Sequence, residues 1–133
     1  MRHVPPPHLP AADLGLTEDE LHALLWVTER LEDGRIGDDE FDMECVSRGR
    51  CGSACCIAGW MATQLDHNPY VHCTGTPAEA LFVPPTAERE INGQLFAIMN
   101  RGWTAGPKAA ARACRQFLQT GRVDWDAAID GAP

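Results

Sequence analysis

Six residues within a 23-residue stretch, Cys51, Cys55, Cys56, His67, His72 and Cys73, carry side chains that bind borderline metals. A zinc site needs four thiolate or imidazole ligands converging tetrahedrally, usually delivered as close pairs such as C-x2-4-C and H-x3-5-H. Cys51-x4-Cys56 and His67-x4-His72 meet both spacings, so a zinc site drawn from Cys51, Cys56, His72 and Cys73 is chemically allowed. The same residues also read as packing. Cys56 is then a small hydrophobe inside a helix, Cys51 ends a loop, and the histidines lie on a polar surface segment, because free cysteine is among the most buried residue types. The packing reading is preferred, and no cofactor is expected.

A second constellation is acidic. Asp38, Asp39, Glu40, Asp42 and Glu44 form a run with Phe41 and Met43 interleaved. It reads either as a solvated loop or as a surface that imitates nucleic-acid phosphates and docks onto a basic groove of a partner protein. Trp103, flanked by Gly102 and Thr104, is the tryptophan placed to act as an interface anchor; Trp26, Trp60 and Trp125 read as core. A third chemistry is nucleophilic: Cys51 or Ser53 beside a helix N-terminus, with His67 or His72 as base, is the minimum for a thiol or hydroxyl enzyme. A capping Ser53 and an inert Cys51 account for the same residues. No Gly-rich phosphate loop, HExxH pair or EF-hand spacing is present.

The elements that must position these residues are mainly helical. Thr17 and Glu20 form a capping box that opens a helix over 18–32, whose face is Leu21, Leu24, Leu25, Thr28 and Leu31 and whose stop is Gly34. Residues 34–40 are a turn, Phe41-Asp42-Met43 fits a short extended segment, strand or loop, that packs two side chains on the core, and 47–50 are a loop. Ser53 caps the central helix, 53–66, with Ile57, Trp60, Met61 and Leu65 at helical spacing. Thr76 caps a short helix through Ala78, Leu81 and Phe82. Thr86 caps a further segment holding Ile91, Leu95, Ile98 and Met99, with the turn signal Asn92-Gly93 in its middle able to split it. Gly106-Pro107 opens the last long helix, striped by Ala110, Ala113, Cys114, Phe117 and Leu118, and Thr120-Gly121 closes it. Asp124 caps a terminal turn. Residues 1–16, with prolines at 5, 6, 7 and 10, read as an extended arm, and 17–133 as one irregular, mainly α helical bundle with short extended segments.

The 133 residues suffice to bury a core without metal or disulfide. No apolar run approaches the roughly 18 residues of a membrane span, so no membrane partner is expected. Three consecutive prolines stand where a secretory signal needs an unbroken apolar stretch; a cytoplasmic protein with reduced thiols follows as the expectation. The net charge of −8 is unevenly spread, with twelve acids and five bases in residues 1–50 against seven and six in the remainder. Such a surface repels phosphates and disfavours direct nucleic-acid binding. Arg101, Lys108, Arg112, Arg115 and Arg122 are the candidates for a local basic patch.

Phe41-Asp42-Met43, the decapeptide CGSACCIAGW at 51–60, the Thr-Pro-rich middle and the ending Thr120-Gly121-Arg122-Val123-Asp124-Trp125 together resemble an uncharacterised family of small phage and bacterial proteins. That family's central motif reads approximately CGTxxCIAGW. It falls on Cys51, Gly52, Cys56, Ile57, Ala58, Gly59 and Trp60, with Ser53 in place of the usual threonine. The resemblance covers roughly residues 41–125 and implies a mobile-element context and one compact domain. Cys51-Gly52-Ser53 with Cys55 is also similar to the C-G-S-C-W signature of papain-like proteases. Ala54 breaks that spacing, the tryptophan is at 60, and only 78 residues follow Cys55. The leading expectation is therefore a small non-enzymatic accessory protein that modulates a host or phage protein through its acidic face. A Cys/His metal protein and a thiol enzyme are the alternatives.

Overall fold

Helix α1, Glu18–Glu32, starts where the capping box places it. The Thr17 hydroxyl accepts from the Glu20 N–H at 3.1 Å, and Glu20 Oε1 accepts from the Thr17 N–H at 2.9 Å. The helix buries Leu21, Leu24, Val27 and Leu31; each such side chain contributes about 1.5–3 kcal/mol when fully withdrawn from water. The computed structural model describes residues 8–43, 56–85, 87–98 and 100–131, with backbone alone at 87–89 and 96–98.

Four further α-helices lie among the described residues: α2, Ile57–Ala62; α3, Glu79–Phe82; α4, Pro107–Thr120; and α5, Trp125–Asp130. Helix α1 packs against α2 and α4, and α5 packs on α4, giving a mainly helical single domain. The expected stripe of α4 is fully realised, with Ala110, Ala113, Cys114, Phe117 and Leu118 all buried. Gly121, at φ 75°, ends the helix in the left-handed conformation that glycine adopts without strain. Trp125 is buried and its Nε1–H donates to Ala80 O at 2.9 Å, tying α5 to α3. Phe41 and Met43 are buried, as their alternation with acids predicts.

Several expectations are corrected. Residues 8–16 are not an extended arm: Ala11–Leu14 form a 3-10 turn, Leu14 is fully buried, and Leu9 N–H donates to Leu118 O at 2.7 Å. The apolar residues after the prolines have a core to reach, which outweighs the extended bias of proline itself. Helix α2 begins after Cys56, whose Sγ accepts from Gly59 N–H at 3.5 Å; Ser53 lies outside the described residues. Its C-terminus falls at Ala62 rather than 66, because the N–H groups of Thr63, Gln64 and Leu65 donate three residues back, to Trp60, Met61 and Ala62 O, in a tightened 3-10 turn. Thr76 does not cap α3 but donates its hydroxyl to Cys73 O at 2.7 Å. The segment after Pro85 is an antiparallel hairpin, β1 Ala87–Ile91 and β2 Gln94–Ile98, paired Glu90↔Leu95 and Ile91↔Gln94. Asn92 and Gly93, at φ 52° and 80°, make the tight turn, and both positive angles match the two-residue hairpin type.

Candidate metal centre

The first turn of α1 and the segment after α2 meet at one carboxylate. The capping box puts Glu20 at the third helical position and occupies Oε1, leaving Oε2 directed away from the backbone. Asn68 caps a 3-10 turn, Pro69–His72, through Tyr70 N–H at 3.0 Å, which brings His72 back toward His67. Both histidines then place Nε2 2.8 Å from Glu20 Oε2, with their ring centroids 5.3 Å apart. His67 also sets Nδ1 2.8 Å from Asp66 Oδ1. The Glu20 side chain is 3% exposed, whereas those of His67 and His72 are 35% and 54% exposed. The carboxylate is thus the floor of the cluster and the imidazoles are its outer wall.

The electrostatics follow from these contacts. Burial pulls the Glu20 carboxyl upward, but the Thr17 N–H and the two imidazoles outweigh it and hold the group below its ordinary value. His67 is raised above its ordinary value, first by Asp66 and then by Glu20, because a ring between two carboxylates donates from both nitrogens only as imidazolium.

Among the described residues, Glu20, His67 and His72 are the group whose ligand atoms converge, all within 4.8 Å of one another. Tetrahedral zinc with bonds of about 2.0–2.1 Å separates neighbouring ligand atoms by roughly 3.3 Å. The two 2.8 Å contacts to Glu20 Oε2 therefore need to open by about half an ångström once the bridging protons leave, and the two Nε2 atoms, which lie within 4.8 Å of one another, need to settle at the same separation. Asp66 meets a further requirement, since a ligating histidine usually donates its other N–H to a carboxylate, which fixes the nitrogen left for the metal.

His72 shares this cluster with Glu20 and His67 rather than with Cys56 or Cys73. Both thiols are buried in the core, and Cys73 is pushed up by burial and by Glu79, so it remains a protonated packing group. Cys51 lies outside the described residues. With both histidines turned onto Glu20, their arrangement serves that carboxylate. Glu20 reads from sequence as a cap alone; its partners are 47 and 52 residues away, and its near-complete burial is the signal that periodicity does not carry.

The acidic run lies elsewhere. Asp38, Asp39 and Glu40 are exposed on a 3-10 turn, Asp42 is half-buried, and Glu44 lies outside the described residues. Asp38 and Asp42 line a groove of about 270 Å³ together with Phe41, Met43 and half-buried Trp103, whose own turn is Arg101–Thr104. A Cβ at Gly106 would stand 3.7 Å from Asp38 Oδ1, so this carboxylate sits beside the N-terminus of α4 and complements its dipole. The candidate basic residues are largely tied internally. Arg115 pairs with Glu32 through two 2.8 Å contacts, Arg101 pairs with Asp126 and Asp130, and Arg112 donates to the carbonyls of Ala128 and Ile129. Lys108 and Arg122 are exposed. Among the described residues no helix is long and apolar enough to cross a membrane.

No protein-family model, curated protein or solved structure matches the chain.

Proposed function

We propose that this chain is a divalent-metal-binding protein whose centre is Glu20, His67 and His72, with Asp66 orienting His67. The observation that carries the reading is the convergence of Glu20 Oε2 and the two Nε2 atoms on one point at the protein surface. Two imidazoles and one carboxylate suit zinc, cobalt or nickel; magnesium and calcium prefer all-oxygen shells. Metal-stripped protein titrated with zinc in a calorimeter is expected to take up one ion at this centre and to release protons, since the ligating nitrogens exchange a proton for the metal. Glu20→Gln and His72→Ala should each weaken binding by at least about 100-fold, and Asp66→Asn by about 10-fold, the lower end of the cost of losing such a supporting carboxylate. Wild-type affinity in the Glu20 and His72 variants would eliminate the centre.

A second reading, docking of a host or phage protein on the acidic face, is favoured by one observation: Asp38 and Asp42 share a groove with Trp103, about sixty residues further along the chain. The mobile-element context rests on the resemblance of residues 41–125 alone. Affinity capture from host lysate at low salt should retain a basic protein that high salt, or the pair Asp38→Asn and Trp103→Ala, releases. Retention unchanged by either would refute docking at this groove.

A further inference from the structure

We propose, on the reading that Glu20, His67 and His72 hold a zinc-type ion, that the ion takes a further ligand from outside the chain. That ligand is a singly charged oxygen donor, a carboxylate or hydroxamate with a small apolar or aromatic body, seated in the groove beside His67. Among the described residues the chain offers three converging ligand atoms, whereas zinc is at least four-coordinate; three-ligand sites keep one position open for water or an exchangeable group. The open position faces outward, because Glu20 is 3% exposed beneath the ion while His67 and His72 are 35% and 54% exposed.

Beside His67, one of the three ligands, lies a groove of about 650 Å³, within the usual range for small-molecule sites. Its lining includes Thr17 and His67, which both bond Glu20, and Asp66, which bonds His67, and it runs along α1 to Trp26. Ala23, Leu65 and half-buried Trp26 give the groove apolar surface, and Arg30 stacks over the Trp26 ring at 3.9 Å. An apolar or aromatic body is therefore matched in the groove while its oxygen donor reaches the ion.

Charge sets the class of donor. A divalent ion on one ligating carboxylate retains a single positive charge, which one anionic oxygen donor neutralises. Asp19 and Asp66 line the same groove and oppose a multiply charged group such as phosphate.

The test uses full-length protein loaded with cobalt, whose visible bands report coordination, titrated with benzohydroxamate and separately with inorganic phosphate. Benzohydroxamate is expected to shift the bands saturably without removing cobalt, and phosphate to leave them unchanged at the same concentration. Gln64→Trp, which fills the groove from an exposed position, and Trp26→Ala should each weaken benzohydroxamate by about 5-fold or more while binding cobalt normally. Cobalt bound stoichiometrically with bands unmoved by millimolar benzohydroxamate would overturn this inference and leave the metal centre standing. Benzohydroxamate bound equally tightly by both variants would place it outside the groove and also overturn it. Failure to bind cobalt at all would remove the centre itself and this ligand with it.

Discussion

Glu20 serves local and distant structure through its two oxygens: Oε1 closes the capping box of α1, and Oε2 receives both histidines. Without metal, this geometry fixes the sign of a pH dependence. His67 is raised above its ordinary 6.5, so its stabilisation is fully present below about pH 6.5 and is lost as pH rises through the raised folded value. Glu20 is lowered from its ordinary 4.5, so its contribution is present above about pH 4.5 and is lost as pH falls through the depressed folded value. The pair is therefore most stabilising between these limits. Urea denaturation of metal-free protein from acid to alkaline pH should show stability falling above pH 6.5 in wild type, with that fall flattened in His67→Gln. Superimposable profiles would show that the imidazole contributes nothing to folding. The Glu20 cap was legible because its partner is three residues away; its second use was not, since no local pattern relates residue 20 to residues 67 and 72.

At the scale of elements, the long helices followed their periodicity and the Asp124-capped terminal helix formed as its cap predicts, whereas the segment after Pro85 and the end of α2 departed from theirs. Ile91, Leu95 and Ile98 have helical spacing, yet the chain forms a hairpin there because Asn92 and Gly93 adopt the positive φ angles of a tight turn, which a helix cannot contain. The turn signal was in the sequence and carried more information than three apolar positions. Helix α2 is short for a different reason: after Ala62 the backbone tightens to bonds three residues back, and the chain then carries His67 across to Glu20 of α1. Close packing between elements also gives glycine a role that sequence leaves unassigned. A Cβ on Gly102 would lie 2.6 Å from Trp125 Cδ2 and 2.9 Å from Pro84 Cβ, so the 101–104 turn packs on α5 through a bare backbone. Gly102→Ala should cost about 1–3 kcal/mol by displacing the Trp125 ring, observable as a lower melting temperature with altered tryptophan emission. An unchanged melting temperature would mean that the ring has room to move.

Across the whole molecule, surface charge and the proposed metal centre act differently. The acidic excess of the front half is a surface property, and part of it is used internally, with Glu32 holding Arg115 and Asp38 beside the start of α4. The Glu20 centre instead joins the start of α1 to the segment following α2, two parts of the chain that the unfolded state holds far apart. A bound ion therefore stabilises the fold as a unit. Zinc at a hundredfold excess over its dissociation constant should add about 2.7 kcal/mol to unfolding, seen as a single shifted thermal transition in wild type and as no shift in Glu20→Gln.

By itself the sequence determined the helical class, the two long helices with their caps and buried stripes, and the charge asymmetry, all properties carried by neighbouring residues at fixed spacing. It also supplied the H-x4-H pair and named His72 as a ligand candidate. Only the tertiary structure decided which third group that pair meets: a buried glutamate rather than a cysteine. The physical reason is that convergence of side chains depends on how α1 and the loop after α2 pack. Cysteine proximity along the chain says little when burial in the core claims the thiols first.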